Sequence, residues 1–292
     1  MQWHGVFPAI TTPFDEDLAV DHDALTAHVR WMVEEGCRGI IALGSLGESS
    51  TLAFSEKVAI LETCMRAVDA PVVAAISALT TAEAIGSARE AQRVGCAGLM
   101  VLPPYVYRGD TREIETYYDE VIDATPLPCM LYNNPIAYGT DVLPAGVARL
   151  AARHENLVAV KESSADVRRV TEIRRLLGDR LAVLVGVDDA VVESMQAGAV
   201  GWVAGLVNAF PRESVELYEL VSAGKDAEAR ALYDWFLPLL RLDTLPKFIQ
   251  LIKLAQAERG KGSARVRPPR LELEGRERRD AVDVIQAGLA GR

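Results

Sequence analysis

The sequence has no long uninterrupted apolar run. Its 292 residues contain no stretch of about 18 consecutive apolar residues, which a membrane-spanning helix would need. The first residues also lack the basic segment followed by an apolar one that marks a secretory signal. We therefore expect a cytoplasmic protein with no membrane partner.

Cysteine and histidine are both scarce, with four of each. The cysteines are far apart and form no CxxC pair; they are Cys37, Cys64, Cys96 and Cys129. Metal sites usually show such residues at short, regular spacings. We therefore expect buried thiols in a reducing compartment and no metal ion.

The sequence has fewer basic residues than acidic ones. Forty-one acidic residues against 31 basic ones give a net charge of −10 and an isoelectric point near 5.0. Proteins that bind nucleic acid cluster Lys and Arg on one surface, so we expect no nucleic acid partner. A small anionic substrate is compatible with this charge, because the field inside a pocket is separate from the net charge.

Half of the residues are hydrophobic, and short apolar runs alternate with segments of helical periodicity. The predicted strands cover residues 6–11, 39–43, 72–76, 98–102, 129–132, 158–160, 181–185 and 201–203. Parallel strands need a crossover helix between them, so this alternation indicates a parallel sheet. Eight such units in this length predict a (β/α)8 TIM barrel.

A doubly wound parallel sheet is the alternative fold. Its dinucleotide-binding form is disfavoured, because no GxGxxG turn follows the first predicted strand. Beyond Pro211 the pattern is purely helical, with predicted helices at 213–223, 226–242, 245–258 and 274–290. We therefore predict a barrel over residues 1–210 and a C-terminal helical extension over residues 211–292.

Lysine is rare in this chain, and only one of the six lysines follows a predicted strand. Lys161 comes directly after the apolar run 157–160, whereas the others, at 57, 225, 247, 253 and 261, lie in helices or loops where a solvated amine is expected. In TIM barrels the chemistry lies at the carboxyl ends of the strands. Burial there would lower the pKa of the amine and supply a Schiff-base nucleophile. The alternative is a lysine paired with a carboxylate at the rim.

A Gly- and Ser-containing segment, residues 44–51, follows the second predicted strand. Gly44 and Gly47 would let backbone N–H groups approach a carboxylate or phosphate, and Ser45 could add a hydrogen bond. A tight turn before the next helix is the alternative. The segment lacks the Lys-Ser/Thr ending of a nucleotide-binding P-loop, which disfavours ATP.

Tyr132 begins the motif 132–135 at the end of the fifth predicted strand. A phenol there could carry a proton to or from an imine intermediate, although packing is the alternative role. A lysine, a tyrosine and an anion-binding loop at three strand ends of one barrel form a coherent site. Together they predict imine formation with a 2-oxo acid.

The segments 44–48, 132–135 and 160–164 resemble the motifs of the dihydrodipicolinate synthase and N-acetylneuraminate lyase family. Members of that family are Schiff-base lyases on barrels with C-terminal helices, and they usually form homotetramers, as dimers of dimers. The resemblance implies that Lys161 forms an imine with the substrate and that Tyr132 relays protons. It also implies that Ser45 hydrogen-bonds Tyr132, and that no cofactor is needed beyond the imine.

The same resemblance implies the substrate contacts. The backbone at Leu46 and Gly47 would hold the carboxylate of a small substrate, and Gly186 and Val203 would line the pocket. The synthase also uses a tyrosine from the neighbouring subunit. Tyr107 is our candidate for that tyrosine, although Val106 could instead occupy its position.

Departures from the synthase pattern bear on the substrate. The synthase binds the carboxylate of its second substrate through an arginine two residues after the Tyr-Asn-x-Pro motif, and Ala137 stands there in this chain. Leu46 also replaces a threonine. We therefore expect poor condensation of pyruvate with aspartate semialdehyde.

The longer segments 132–141, 185–189 and 201–211 are similar to a branch that contains Δ1-pyrroline-4-hydroxy-2-carboxylate deaminases and 2-keto-3-deoxy sugar acid dehydratases. Our first prediction is the deaminase, which releases 2-oxoglutarate semialdehyde. The alternatives are a 4-hydroxy-tetrahydrodipicolinate synthase and a 2-keto-3-deoxy sugar acid dehydratase or aldolase. The non-enzymatic alternative is a metabolite-binding barrel without turnover.

Overall fold

The computed structural model describes residues 1–291 and has a barrel of eight parallel strands at its centre. The strands are β1 (Gly5–Pro8), β2 (Ile40–Ala42), β3 (Val72–Ile76), β4 (Gly98–Val101), β5 (Cys129–Asn133), β6 (Leu157–Glu162), β7 (Ala182–Val185) and β8 (Gly201–Ala204). They are hydrogen-bonded in the order β1-β8-β7-β6-β5-β4-β3-β2. A parallel bridge between Ala9 and Ile41 connects the first and last strands of this order and closes the barrel. The predicted (β/α)8 barrel is confirmed, and the doubly wound alternative is wrong.

The strands read as apolar runs because both of their faces are covered. Nearly every strand residue is buried, from Phe7 in β1 to Trp202 in β8. All eight strands run in the same direction, so the residues that follow them lie together at one rim of the barrel. Lys161 is the only lysine in any of these strands.

Twelve helices are present in residues 1–291, and eight of them lie between successive strands. The helices before β8 are α1 (His22–Glu34), α2 (Phe54–Ala67), α3 (Thr81–Val94), α4 (Thr111–Asp123), α5 (Pro135–Tyr138), α6 (Pro144–Arg153), α7 (Arg168–Leu177) and α8 (Val191–Gln196). Local capping defines their ends. The side chain of Thr80 accepts from the backbone of Glu83 at the start of α3, and Gly95 ends that helix in the left-handed conformation.

Some local predictions differ from the structure. The first strand ends at Pro8 rather than at residue 11: the Ala9 and Ile10 N–H groups still donate to Ala204 and Ile41, but the Thr11 N–H donates to the side chain of Asn208. The short helix α5 was not predicted. The Asn134 side chain accepts from Ala137 N at its start, and Gly139, with a φ of 70°, ends it after one turn.

Four helices follow the last strand: α9 (Pro211–Ser222), α10 (Asp226–Leu240), α11 (Phe248–Glu258) and α12 (Gly275–Ala290). Helix α9 packs against β1 and α8 and so completes the ring around the barrel, while α12 packs on both α10 and α11. A short 3-10 turn, Arg241–Thr244, connects α10 to α11 and contacts the 3-10 turn Asp188–Ala190 after β7. The extension therefore reaches the rim where the strands end. No helix within residues 1–291 has both the length and the apolar composition needed to cross a bilayer.

Candidate active site

Lys161 lies in β6 at the rim of the barrel, and the residue is 6% exposed. Its neighbour in register on β5 is Tyr132, and the Lys161 Nζ lies 4.3 Å from the centre of the Tyr132 ring. The methylene chain of Lys161 passes over Gly186, where a Cβ would overlap it. Within the described chain Lys161 forms no ion pair, so the structure differs from the alternative of a lysine paired at the rim.

Tyr132 is one of three tyrosines that pack edge to face above this lysine. The Tyr138 ring is 5.8 Å from that of Tyr132 and 5.4 Å from that of Tyr105, at angles close to perpendicular. The Asn134 side-chain amide donates to the Tyr132 hydroxyl at 3.0 Å. The Tyr118 hydroxyl donates to the Tyr132 carbonyl, which fixes the end of β5. The arrangement holds one phenol over the amine and a second phenol beside it.

Ser45 shares a hydrogen bond with the Tyr138 hydroxyl rather than with Tyr132, the partner that the resemblance implied. Burial, together with the neighbouring phenols Tyr132 and Tyr105, raises the pKa of Tyr138 well above its usual value. Tyr138 therefore remains a proton-bearing phenol across the physiological range. Sequence reasoning missed it, although the Asn-Pro start of α5 and the glycine after it were signals of a single helical turn.

The loop after β2 has a buried attachment to the C-terminal extension. Leu46 is buried, and the Gly47 carbonyl accepts from the Thr12 hydroxyl at 2.7 Å. Glu48 ends the loop with a φ of 55° and is fully buried. The Lys253 Nζ in α11 lies 2.5 Å from Glu48 Oε1. The extension therefore holds the segment that was predicted to bind a carboxylate.

The expectation that Lys253 is solvated is wrong. It is 1% exposed, packs 4.3 Å from the centre of the Phe14 ring, and donates to the Arg265 carbonyl as well as to Glu48. Burial lowers the pKa of Lys253 to about 8, against the opposing attraction of Glu48. Its helical position in the sequence gave no sign of this, because a single lysine on an apolar helix does not reveal which surface covers it.

The ends of β7 and β8 bring two carboxyl groups to the same rim. Asp188 is fully buried and accepts from Trp202 Nε1 at 2.9 Å and from the backbone N–H groups of Gly205 and Leu206. Burial raises the pKa of Asp188 to about 6, although these donors and the charge of Lys161 oppose the shift. Val203, predicted to line the pocket, is buried in β8.

The second carboxyl group, Asp243, comes from the turn after α10 and was missed in the sequence. Its carboxylate lies so close to the α-carbon of Gly205 that a Cβ there would overlap it. Burial and the charge of Asp188 raise the pKa of Asp243 well above its usual value. A lone aspartate between two helices had no sequence signal that could have connected it with the strand ends.

Tyr107 lies apart from this group. Its side chain is exposed, and its hydroxyl donates to Glu113 at 2.9 Å. Val106 is 92% exposed and has a φ of 70°, which is uncommon for a β-branched residue. The guanidinium of Arg108 instead lies over Gly139, just beyond Tyr138, and forms no ion pair in the described part of the chain.

A surface cavity of about 520 Å³ is on the outer face near α3 and α4 rather than at Lys161. Its lining includes Leu79, Pro104, Tyr107, Glu113 and Tyr117. Within residues 1–291 no three side chains of His, Cys, Asp or Glu are placed to ligate one metal ion.

The model of the dihydrodipicolinate synthetase family matches residues 2–288. The chain belongs to this family. It is 36% identical over 271 residues to a 4-hydroxy-tetrahydrodipicolinate synthase of Geotalea uraniireducens, with 91% of each chain covered. It is 35% identical over 248 residues to the enzyme of that name from Methanothrix thermoacetophila, with 84% of each covered.

Solved structures of the dihydrodipicolinate synthetase family have the same fold as this chain. The dihydrodipicolinate synthase DapA-2 of Bacillus anthracis superimposes with a TM-score of 0.94 at 29% identity, covering 98% of both chains. YagE of E. coli K12, a family member in complex with pyruvate, superimposes with a TM-score of 0.93 at 27% identity, covering 99% of both chains. The protein is therefore a Schiff-base lyase of the dihydrodipicolinate synthase type, and the non-enzymatic alternative is wrong.

Proposed function

We propose that Lys161 forms the imine with a small 2-oxo acid. The observation that carries this proposal is the buried, unpaired amine of Lys161 beneath the Tyr132 ring. The amine attacks the C2 carbonyl carbon, water leaves, and loss of a C3 proton gives an enamine. Tyr132 carries protons in these steps, and its neighbours Ser45 and Tyr138 extend the path for the proton.

The other predicted residues position the substrate in this proposal. The backbone at Leu46 and Gly47 holds the C1 carboxylate, and the Lys253–Glu48 ion pair fixes the loop that contains them. Gly186 leaves room for the Lys161 side chain, and Val203 closes the apolar wall. The imine itself is the electron sink, so this chemistry needs no further cofactor.

The first candidate for the complete reaction is condensation of pyruvate with aspartate semialdehyde, as in a 4-hydroxy-tetrahydrodipicolinate synthase. The relatives reported above carry that name, and YagE binds pyruvate. The second substrate brings another carboxylate, and Ala137 offers it no charge. The unpaired guanidinium of Arg108 beside Gly139 is the cation that could receive it.

The second candidate is elimination, with Δ1-pyrroline-4-hydroxy-2-carboxylate as substrate. Ala137 and Leu46 favour it, because they make the pocket less polar than a dicarboxylate requires. In this cyclic imine Lys161 attacks C2 and the ring nitrogen leaves C2 as an amine, which opens the ring. The enamine then expels the C4 hydroxyl as water, and hydrolysis of the C5 and Lys161 imines releases ammonia and 2-oxoglutarate semialdehyde. A 2-keto-3-deoxy sugar acid would lose its hydroxyl in the same way.

A comparison of kcat/KM for these three substrate types tests the assignment. If condensation is the reaction, aspartate semialdehyde with pyruvate gives the highest value. Arg108→Ala then lowers it by about 10- to 100-fold, the worth of one charged hydrogen bond. A highest value for the hydroxypyrroline acid, unchanged by Arg108→Ala, assigns the elimination. No turnover of any of the three contradicts both candidates.

A homotetramer is part of the same proposal. Three exposed apolar side chains near the outer cavity, Leu79, Val106 and Tyr107, favour a subunit interface there. Light scattering that gives a stable monomer at micromolar concentration would contradict it. The cytoplasmic location and the division into residues 1–210 and 211–292 stay predictions.

A further inference from the structure

We infer that Asp243, supplied by the C-terminal extension, is a catalytic residue that carries the proton of the substrate oxygen at C4. The inference rests on the imine at Lys161 proposed above. It is independent of the choice between condensation and elimination, because both reactions have an oxygen on the second carbon from the imine carbon.

The position of Asp243 is fixed by the turn Arg241–Thr244, which packs on the turn after β7. Its carboxylate lies directly over Gly205, one residue beyond the end of β8. Only a residue without a Cβ leaves this space open. A side chain from the extension thereby enters the rim at which Lys161 lies.

Asp243 differs from its neighbour Asp188 in the bonds it makes. Asp188 is fully engaged by Trp202, Gly205 and Leu206, so it is a structural carboxylate. The side chain of Asp243 forms no hydrogen bond or ion pair within the described residues, which leaves its carboxyl oxygens available to a substrate.

Charged groups around Asp243 connect it to the reacting lysine. Asp188 and Asp189 face it from the turn after β7, and Lys161 faces it from β6. Arg241, on its own turn, lies 3.8 Å from Asp189. Burial and the charge of Asp188 raise the pKa of the Asp243 carboxyl, whereas Lys161 acts in the opposite direction. The shift favours the proton-bearing form of an acid that interacts electrostatically with the imine-forming amine.

The proton balance is the same in both candidate reactions. In condensation, the enamine C3 forms a bond to the aldehyde carbon, the carbonyl electrons move to its oxygen, and the Asp243 proton completes the hydroxyl. In elimination, the C4–O bond breaks and the oxygen leaves as water with the Asp243 proton. In each case Asp243 becomes a carboxylate and is reprotonated from solvent.

The experiment separates imine formation from the later step at C4. Wild-type protein with pyruvate alone should give an imine that borohydride traps, and should exchange the pyruvate methyl protons in D2O by NMR. Asp243→Asn should retain both, to within about threefold, while turnover of the best of the three substrates falls by about 10²-fold or more. Asp234→Asn, an exposed aspartate of α10, is the matched control and should leave all three measurements unchanged.

Gly205→Ala provides a second variant, because its Cβ displaces the Asp243 carboxylate without removing it. It should show the same separation between retained exchange and lost turnover. Full turnover in Asp243→Asn, or an equal loss of exchange and turnover in a folded variant, would overturn the inference. Wild-type protein that forms no imine with pyruvate would instead contradict the proposed function on which the inference rests.

Discussion

Replacing Lys253 by methionine should destabilise the protein strongly, although the ion pair that it breaks is not itself a large source of stability. The Lys253 and Glu48 side chains are 2% and 0% exposed, and their charged atoms are 2.5 Å apart. Lys253→Met leaves the Glu48 carboxylate with the Arg267 backbone N–H and with Arg270 at 3.7 Å. Removing one partner of a buried pair costs about 3–5 kcal/mol.

The lowered pKa of Lys253 shows that burying the charged amine has a free-energy cost, which offsets the attraction between the two charges. Burial lowers this pKa from 10.5 to about 8, although Glu48 opposes the shift. A difference of this size means that folding disfavours the charged amine by about 3 kcal/mol. Removing both charges, in Lys253→Met with Glu48→Gln, should therefore restore most of the stability lost in the single variant.

The lowered pKa of Lys253 also sets the direction in which the unfolding free energy changes with pH. The folded chain binds the Lys253 proton less tightly than the unfolded chain, so the unfolding free energy of wild type should rise between about pH 8 and 10.5. Comparison with Lys253→Met removes the contribution of other groups. Below pH 8 the difference should be constant.

Urea unfolding followed by circular dichroism measures these free energies, and a double-mutant cycle combines them. The KM for the 2-oxo acid should rise in Lys253→Met as well, because Glu48 ends the loop that contains Leu46 and Gly47. A loss below about 1 kcal/mol in the single variant, or a double variant as unstable as the single one, would show that Lys253→Met leaves no costly unpaired charge at Glu48.

Three further predictions concern the site and the thiols. Tyr138→Phe should lower kcat/KM by about 10²-fold while the imine at Lys161 still forms, because it removes a proton carrier and not the nucleophile; unchanged kcat/KM would contradict this. The four cysteine thiols are buried, and burial raises the pKa of each to about 12. Iodoacetamide should therefore label none of them at pH 8 until the chain is denatured. Rapid labelling of the native chain would be inconsistent with this burial. Ala137→Arg should not raise kcat/KM for the hydroxypyrroline acid, and an increase would show that crowding at this position is not the determinant.

The residues that could be predicted lie where local sequence determines their place. Lys161 and Tyr132 each stand at the end of an apolar run, and parallel strands bring such ends to one rim. The register between β5 and β6 then sets them side by side. Ser45 was placed in the site for the same reason, but its hydrogen-bond partner was not, because that depends on the single turn α5.

The residues that could not be predicted come from distant parts of the chain. Asp243 and Lys253 are more than 80 residues beyond Lys161 in the chain. They contact Gly205 and Glu48 of the barrel only because the C-terminal extension packs on it. Helical periodicity identifies the apolar face of α11 but not the buried Glu48 that pairs with its one lysine, Lys253. For Asp243 the deciding feature is the absence of a side chain at Gly205, which is visible only once both segments have positions in space.

Borohydride reduction in the presence of pyruvate, followed by peptide mass spectrometry, identifies the nucleophile. We expect one covalent adduct, on Lys161, which disappears together with turnover in Lys161→Ala. Lys225→Ala, which removes an exposed lysine of the extension, is the matched control and should retain the adduct. An adduct that survives in Lys161→Ala, or that forms on another lysine of the wild type, would contradict the assignment of Lys161 as the nucleophile.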